Sequence, residues 1–121
     1  MTKDVKAVDR RIKAELKKLK TIFKDLDKDS LWLHDGLIHR AAFMRITLED
    51  YETDINENGS IEMFSQSPDQ KPYERARPVM QFYNTTNKNY QSIIKQLTDL
   101  LPKEEKENTL ELIVDGLRKP Q

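Results

Sequence analysis

Residues 27–59 read DKDSLWLHDGLIHRAAFMRITLEDYETDINENG, and this stretch decides the fold. Its apolar side chains recur mainly at steps of three and four, which places them on one face of an α-helix. They are Leu33, Leu37, Ile38, Ala41, Met44, Leu48, Tyr51 and Ile55. Asp27 is a suitable N-terminal cap, and Asn58-Gly59 is a suitable end. The stretch predicts one helix, helix 2, of about 30 residues and roughly 45 Å.

A second stretch of helical spacing covers residues 73–101 and predicts helix 3, which Pro102 ends. Its apolar residues are Val79, Phe82, Tyr83, Tyr90, Ile93, Ile94, Leu97 and Leu100. Pro78 fits within the first turn or two of this helix. Residues 60–72 are polar with two prolines and predict a surface loop. Because one loop joins two helices of nearly equal length, we expect a long antiparallel hairpin.

Shorter helices are predicted on both sides of the hairpin. Residues 1–26 form a basic N-terminal helix, helix 1, with Thr2 or Asp4 as its cap, and residues 103–121 form a short helix 4 and a tail. The apolar residues are Val8, Ile12, Leu16, Leu19, Ile22 and Leu26 in helix 1, and Leu110, Ile113, Val114 and Leu117 in helix 4. The predicted fold is all-α in a single domain, 1–121, with residues 27–102 as its hairpin and oligomerisation core.

The composition indicates an oligomer. Charged residues make up 35% of the chain and hydrophobic residues 36%, against roughly 25% and 45–50% in typical domains. A lone chain therefore has little apolar material for a core, and burial between subunits would add to it. The chain has no cysteine, no apolar run of membrane-span length and no signal-peptide pattern, so we expect a cytoplasmic protein without a membrane partner.

The charges are segregated although the net charge is zero. Residues 1–24 hold nine bases and three acids, a local charge of +6, whereas residues 25–58 hold nine acids and three bases, a local charge of −6. The bases of the first segment are Lys3, Lys6, Arg10, Arg11, Lys13, Lys17, Lys18, Lys20 and Lys24. Such asymmetry indicates separate partners for the two segments.

These nine bases are the predicted DNA-binding residues. Lysine and arginine bind phosphates with release of counterions, which gives affinity without reading the bases. Two other interpretations remain open at this point. In one, the lysines only keep an amphipathic helix solvated; in the other, the positive face of helix 1 pairs with the acidic helix 2.

The sequence predicts no enzyme, cofactor or metal. Its glycines are Gly36, Gly59 and Gly116, from which neither a phosphate-binding loop nor a dinucleotide-binding turn can be assembled. The histidines His34 and His39 are five residues apart, so on a helix they lie on different faces and do not converge on a metal.

One motif suggests calcium as a remote alternative. Residues 54–61, DINENGSI, match the first eight positions of an EF-hand loop, including the glycine. The twelfth position, however, is Ser65 instead of a bidentate glutamate. The simpler interpretation is that Asn58-Gly59 caps helix 2, with glycine in a left-handed conformation.

Residues 37–59 (LIHRAAFMRITLEDYETDINENG) and 83–102 (YNTTNKNYQSIIKQLTDLLP) resemble the small terminase subunits of phages of Gram-positive bacteria. With the loop between them, the resemblance covers about residues 30–102. It implies a non-catalytic subunit that assembles into a homo-oligomeric ring in the bacterial cytoplasm. Such a subunit binds viral double-stranded DNA and delivers it to the large terminase subunit, which carries the ATPase and nuclease.

The resemblance does not assign individual residues to a site. Some small terminases carry a separate helix-turn-helix domain, and helix 1 here has no short recognition helix after a glycine turn. We therefore expect DNA contact through helix 1 and contact with the large subunit through residues 103–121. The alternative from another class is a helical protein-interaction adaptor with no nucleic-acid role.

Overall fold

The computed structural model describes residues 4–102 and 111–114. They form helices α1 (Val5–Ile22), α2 (Lys28–Asn58) and α3 (Pro78–Thr98), with strands β1 (Ile61–Phe64) and β2 (Tyr73–Ala76) between α2 and α3. The protein is mostly helical, but its two-stranded antiparallel sheet corrects the expectation of an all-α fold. Both α1 and α3 pack against α2, which is thus the central helix.

Side-chain caps fix where α1 and α2 begin. Asp4 accepts hydrogen bonds from the backbone N–H groups of Lys6 and Ala7, at 3.0 and 3.2 Å. Asp27 accepts one from the N–H of Ser30 at 2.8 Å, as predicted. At the other end of α2, Gly59 has a φ of 82°, as expected of a glycine cap, but its ψ of −178° is extended and not left-handed helical. The chain therefore leaves α2 directly into an extended strand.

Helix 3 was predicted from residue 73, and the structure begins α3 at Pro78 instead. Residues 73–76 pair with β1, with Ile61 opposite Ala76 and Phe64 opposite Tyr73. Proline fits the first helical position because its missing N–H has no helical partner there, and it disfavours helical conformation in the residue before it. The helices are consequently unequal, with 31 residues in α2 and 21 in α3.

The core lies where all three helices overlap. Ile38 of α2 and Leu97 of α3 are the largest fully buried side chains, and Leu19 and Phe23 contribute the side facing α1. The other buried members of this cluster are Ala41, Ala42, Leu48, Tyr90, Ile93, Ile94 and Leu101. These residues belong to the C-terminal ends of α1 and α3 and to the first two-thirds of α2, so the core is confined to one end of the molecule.

The rest of the hairpin, residues 50–87, is called the distal arm here. None of its side chains is fully buried, and polar contacts join its two sides. Arg77 donates to both carboxylate oxygens of Asp54 at 3.0 Å and to the carbonyl of Gly59 at 2.7 Å. Tyr83 donates to Glu52 at 3.0 Å. The arm is thus held by ion pairs and hydrogen bonds and contributes little to the apolar core.

One part of the predicted helix 4 can be placed. Residues Glu111–Val114 are helical, and the half-buried Ile113 packs against the core. The remainder of that prediction, in residues 103–110 and 115–121, lies outside the described residues. Within the described part of the chain, no helix combines the length and the apolar character needed to cross a membrane.

Candidate nucleic-acid interface

Six of the nine predicted DNA-binding residues form a stripe along α1 and the turn after it. Successive members are separated by four, three, four, three and four residues, which keeps them on one side of a helix that turns by about 100° per residue. We call this set the cationic stripe, and all its members are exposed. It consists of Lys6, Arg10, Lys13, Lys17, Lys20 and Lys24.

Packing of α1 on the hairpin directs the stripe outward. Leu19 is buried in the core, and Ile12 and Leu16 pack beside it. At helical spacing these apolar residues occupy the side of α1 that faces α2, and the stripe occupies a different side that is exposed to solvent, with Leu16 at the border between them. The apolar positions of the sequence therefore determine which cations face solvent.

The stripe borders a shallow open groove of about 440 Å³. Lys13, Lys17, Lys20 and Lys24 surround it, and Leu16 contributes apolar surface. Lys13 is paired within α1 with Asp9, at 2.9 Å, and both side chains are exposed. Pairs of this kind contribute little stability in water, so these ammonium groups can exchange partners readily.

Arg11, another of the predicted DNA-binding residues, is paired with acidic residues of α2. Its guanidinium donates to Asp50 at 2.6 Å and to Glu49 at 3.1 Å, which ties α1 to α2. Hydrogen bonding to Asp50, opposed by desolvation and aided by Glu49, raises the pKa of Arg11. Arg11 therefore pairs with the acidic helix α2, as one of the alternatives expected of the positive face. By fixing α1 on α2, it also fixes where the stripe lies.

The last two predicted residues lie elsewhere. Lys18 lines a second groove, on the side of α1 that meets α3 and residues 112–113. Lys3 lies outside the described residues. Within the described residues, the structure therefore divides the predicted set into six cations on the outward stripe, one at the junction of α1 with α2 and one beside the second groove.

Three residues that sequence reasoning missed support the anchor of α1. Glu49 accepts from Arg11 and also from Arg45, whose Nε lies 3.4 Å from it. Burial alone would lower the pKa of Arg45, but Tyr90, Glu15 and Glu49 together raise it. Burial raises the pKa of Tyr90, against the effect of Arg45. Together, Glu49, Arg45 and Tyr90 form a polar cluster that connects α1, α2 and α3 next to the core.

The geometry around residue 54 is that of a helix end. Asp54, which would be the first calcium ligand of an EF-hand loop, accepts hydrogen bonds from Arg77 through both carboxylate oxygens and from the side-chain amide of Asn58 at 2.6 Å. This pairing does not support the calcium alternative. His34 lies 2.8 Å from the carbonyl of Ser30 and His39 lies near Asp35. In residues 4–102 and 111–114, no three histidine or acidic side chains are grouped closely enough to hold a metal ion.

Comparisons with family models, with curated proteins and with solved structures found no significant match to this chain.

Proposed function

We propose that this protein is a small terminase subunit, which binds viral double-stranded DNA through α1 and presents it to the large terminase subunit for packaging into the procapsid. The cationic stripe is the observation that carries the proposal. The resemblance of residues 30–102 to small terminases supplies the biological setting. In this account the chain has no catalytic residue of its own, and the ATPase and nuclease belong to the large subunit.

The stripe suits a nucleic-acid backbone in length and in charge. From Lys6 to Lys20 it extends about 21 Å along the helix axis, at roughly 1.5 Å per residue. Duplex DNA carries one phosphate charge per roughly 1.7 Å of its axis, so several phosphates lie within reach of one α1. Lysines on flexible stems contact phosphates as point charges, which favours affinity over sequence reading.

The exposed apolar surface supports assembly into a ring. Trp32 is 80% exposed and Phe43 58%, and their separation of eleven residues, about three turns, places them on one side of α2. On the sheet, Ile61 and Met63 are 57% and 63% exposed. Packing between copies would bury these side chains and bring several stripes together, which would multiply the affinity for one DNA.

The same surface is compatible with the second candidate, an interaction adaptor without a nucleic-acid role. The two candidates differ in their use of the stripe. Only the terminase proposal requires that the stripe bind a polyanion.

Charge reversal tests this requirement. We expect the variant Lys13→Glu, Lys17→Glu, Lys20→Glu to lose duplex DNA affinity by about a hundredfold or more, taking roughly 1 kcal/mol for each lysine at an anionic surface. The matched control Lys71→Glu, Lys88→Glu, Lys95→Glu makes the same change in net charge at exposed positions in the loop between the strands and on α3. Fluorescence anisotropy with labelled duplex measures both variants, and circular dichroism verifies that they fold.

The control should bind within a few-fold of the wild type. Equal losses in the two variants would show that binding follows net charge and not the stripe. Absence of DNA binding by the wild-type protein would leave the adaptor as the better account.

A further inference from the structure

A groove of about 620 Å³ lies between α1 and the rest of the core, on the flank of α1 beside the stripe. Leu19 and Ile22 of α1 supply apolar walls, and Arg45 and Tyr90 line it from α2 and α3. It adjoins the shallow groove along the stripe, because Lys17 and Thr21 line both. Any segment that fills the larger groove therefore lies next to Lys17, which belongs to the cationic stripe.

Part of the C-terminal segment forms one wall of this groove. Leu112 and Ile113 line it, and Ile113 also packs against the core. Leu112 remains 65% exposed and Val114 lies outward. The sequence continues the same pattern, because Leu110, Ile113 and Leu117 recur at helical spacing. An amphipathic segment with Ile113 as its anchor fits an apolar groove of this form.

Charge favours the same occupant. Residues 104–115 contain five acids and one lysine, a local charge of −4. Of these residues, Leu112 and Ile113 line the groove together with Lys17 and Lys18 of α1, the helix whose segment carries +6. Opposite charges at close range stabilise docking and at the same time neutralise the field that attracts a polyanion.

We infer that this groove is the docking site of the chain's own C-terminal segment, the segment that contains Glu111–Val114, and that the docked segment competes with nucleic acid for α1. The competition rests on the proposed function, whereas the docking does not. If the segment is docked in about nine molecules of ten, the apparent DNA affinity is about tenfold weaker than that of the undocked protein.

Crosslinking tests the docking without DNA. The chain has no cysteine, so the pair Thr21→Cys, Leu112→Cys introduces only two thiols, both at residues that line the groove. We expect a short bismaleimide to join them within one chain, read by mass after denaturation, and the addition of Ile113→Asp to reduce the yield at least about fivefold. The matched pair Gln81→Cys, Leu112→Cys, with one thiol on the distal arm, should give little product. A yield equal to this control, insensitivity to Ile113→Asp, or products mainly between chains would overturn the docking.

DNA binding tests the competition with a matched pair of single substitutions. Ile113→Asp removes the anchor, and Val114→Asp adds the same charge at the adjacent exposed residue, which does not line the groove. We expect Ile113→Asp to bind duplex DNA about three- to tenfold more tightly than the wild type, although an added negative charge by itself weakens binding. Val114→Asp should bind as the wild type does or more weakly.

The two assays fail in different ways. Equal affinities for the wild type and Ile113→Asp would overturn the competition, whatever the crosslinking yields. If no variant binds DNA, the proposed function and the competition fail together, and crosslinking alone then decides whether the segment docks.

Discussion

Two arginines hold the protein where apolar contacts end. Arg11 joins the N-terminal half of α1 to Glu49 and Asp50 of α2, and Arg77 joins the start of α3 to the end of α2 through Asp54. Exposed ion pairs usually contribute about 0–1 kcal/mol, but a guanidinium that contacts both oxygens of a half-buried carboxylate also fixes geometry. Arg77 therefore fixes how the end of α2 and the start of α3 lie against each other within the distal arm.

Asp27 provides a pH-dependent test at the residue scale. Hydrogen bonds from the backbone and hydroxyl of Ser30 lower the pKa of this carboxyl in the folded protein. Its stabilisation is therefore present above the ordinary aspartate pKa of about 3.9 and is lost as the pH falls through the lower folded value. We expect the melting temperature of Asp27→Ala to lie below that of the wild type at pH 7, with the difference shrinking below pH 4.

The matched control is Asp27→Asn, which keeps an acceptor for the N–H of Ser30 but cannot ionise. Thermal unfolding of all three proteins between pH 7 and pH 2.5 measures the effect. A difference between wild type and Asp27→Ala that stays constant over this range would contradict the assignment of the cap to an ionised carboxylate.

At the scale of the helix, Gly36 within α2 and Gly59 at its C-terminal cap should respond to alanine in opposite ways. Gly36 is an exposed helical residue, and an added Cβ would meet only the end of the flexible Arg40 side chain at 3.1 Å. Gly36→Ala should raise the free energy of unfolding by about 0.5–1 kcal/mol. Gly59 has a φ of 82° and a ψ of −178°, a conformation that only glycine adopts readily. Gly59→Ala should lower the free energy of unfolding by about 1–3 kcal/mol.

Urea denaturation of the two variants measures these changes directly. An unchanged or higher free energy of unfolding for Gly59→Ala would show that the end of α2 is not fixed by the backbone conformation of Gly59, whereas a decrease for Gly36→Ala would contradict the prediction for that residue.

The helices were predictable from sequence because apolar spacing and local caps determine them. The sheet was missed since each strand has only four residues, and the polar linker with its prolines obscured their pairing. Two signals were present in the sequence: residues 61–64 (IEMF) are a short, mainly apolar run between polar residues, and Arg77-Pro78 marks a helix start. The prediction that helix 3 begins at residue 73 did not take the Arg77-Pro78 signal into account.

The candidate site was predictable only in part. The spacing of the lysines on helix 1 is visible in the sequence, so the set of cations could be named before their arrangement was known. The separation of Arg11 from the stripe depends on Glu49, which is 38 residues away along the chain. Contacts of this kind arise from helix packing, and a pattern within one helix does not contain them.

At the scale of the whole molecule, the core occupies only one end, and large apolar side chains stay exposed on α2 and on the sheet. We therefore expect size-exclusion chromatography with light scattering to give a single species whose mass is a multiple of 14.3 kDa. The double variant Trp32→Ser, Phe43→Ser should shift the mass toward the monomer, because its sites contribute little to the folded core. Gln91→Ser, also exposed, is the control.

A monomer at every concentration tested would contradict the ring. It would also leave each DNA contact to a single stripe, with the lower affinity that one stripe provides.

The central claim is that the cationic stripe of α1 binds the DNA backbone, and the salt dependence of duplex binding tests it most directly. Each phosphate contact contributes a slope of about −0.9 to the plot of log binding constant against log salt concentration, so six cations predict a slope near −5 for each engaged stripe. The account predicts that slope for the wild type and a slope about three units shallower when three stripe lysines are replaced by glutamine. A wild-type slope near zero, or one that the glutamine substitutions leave unchanged, would contradict it.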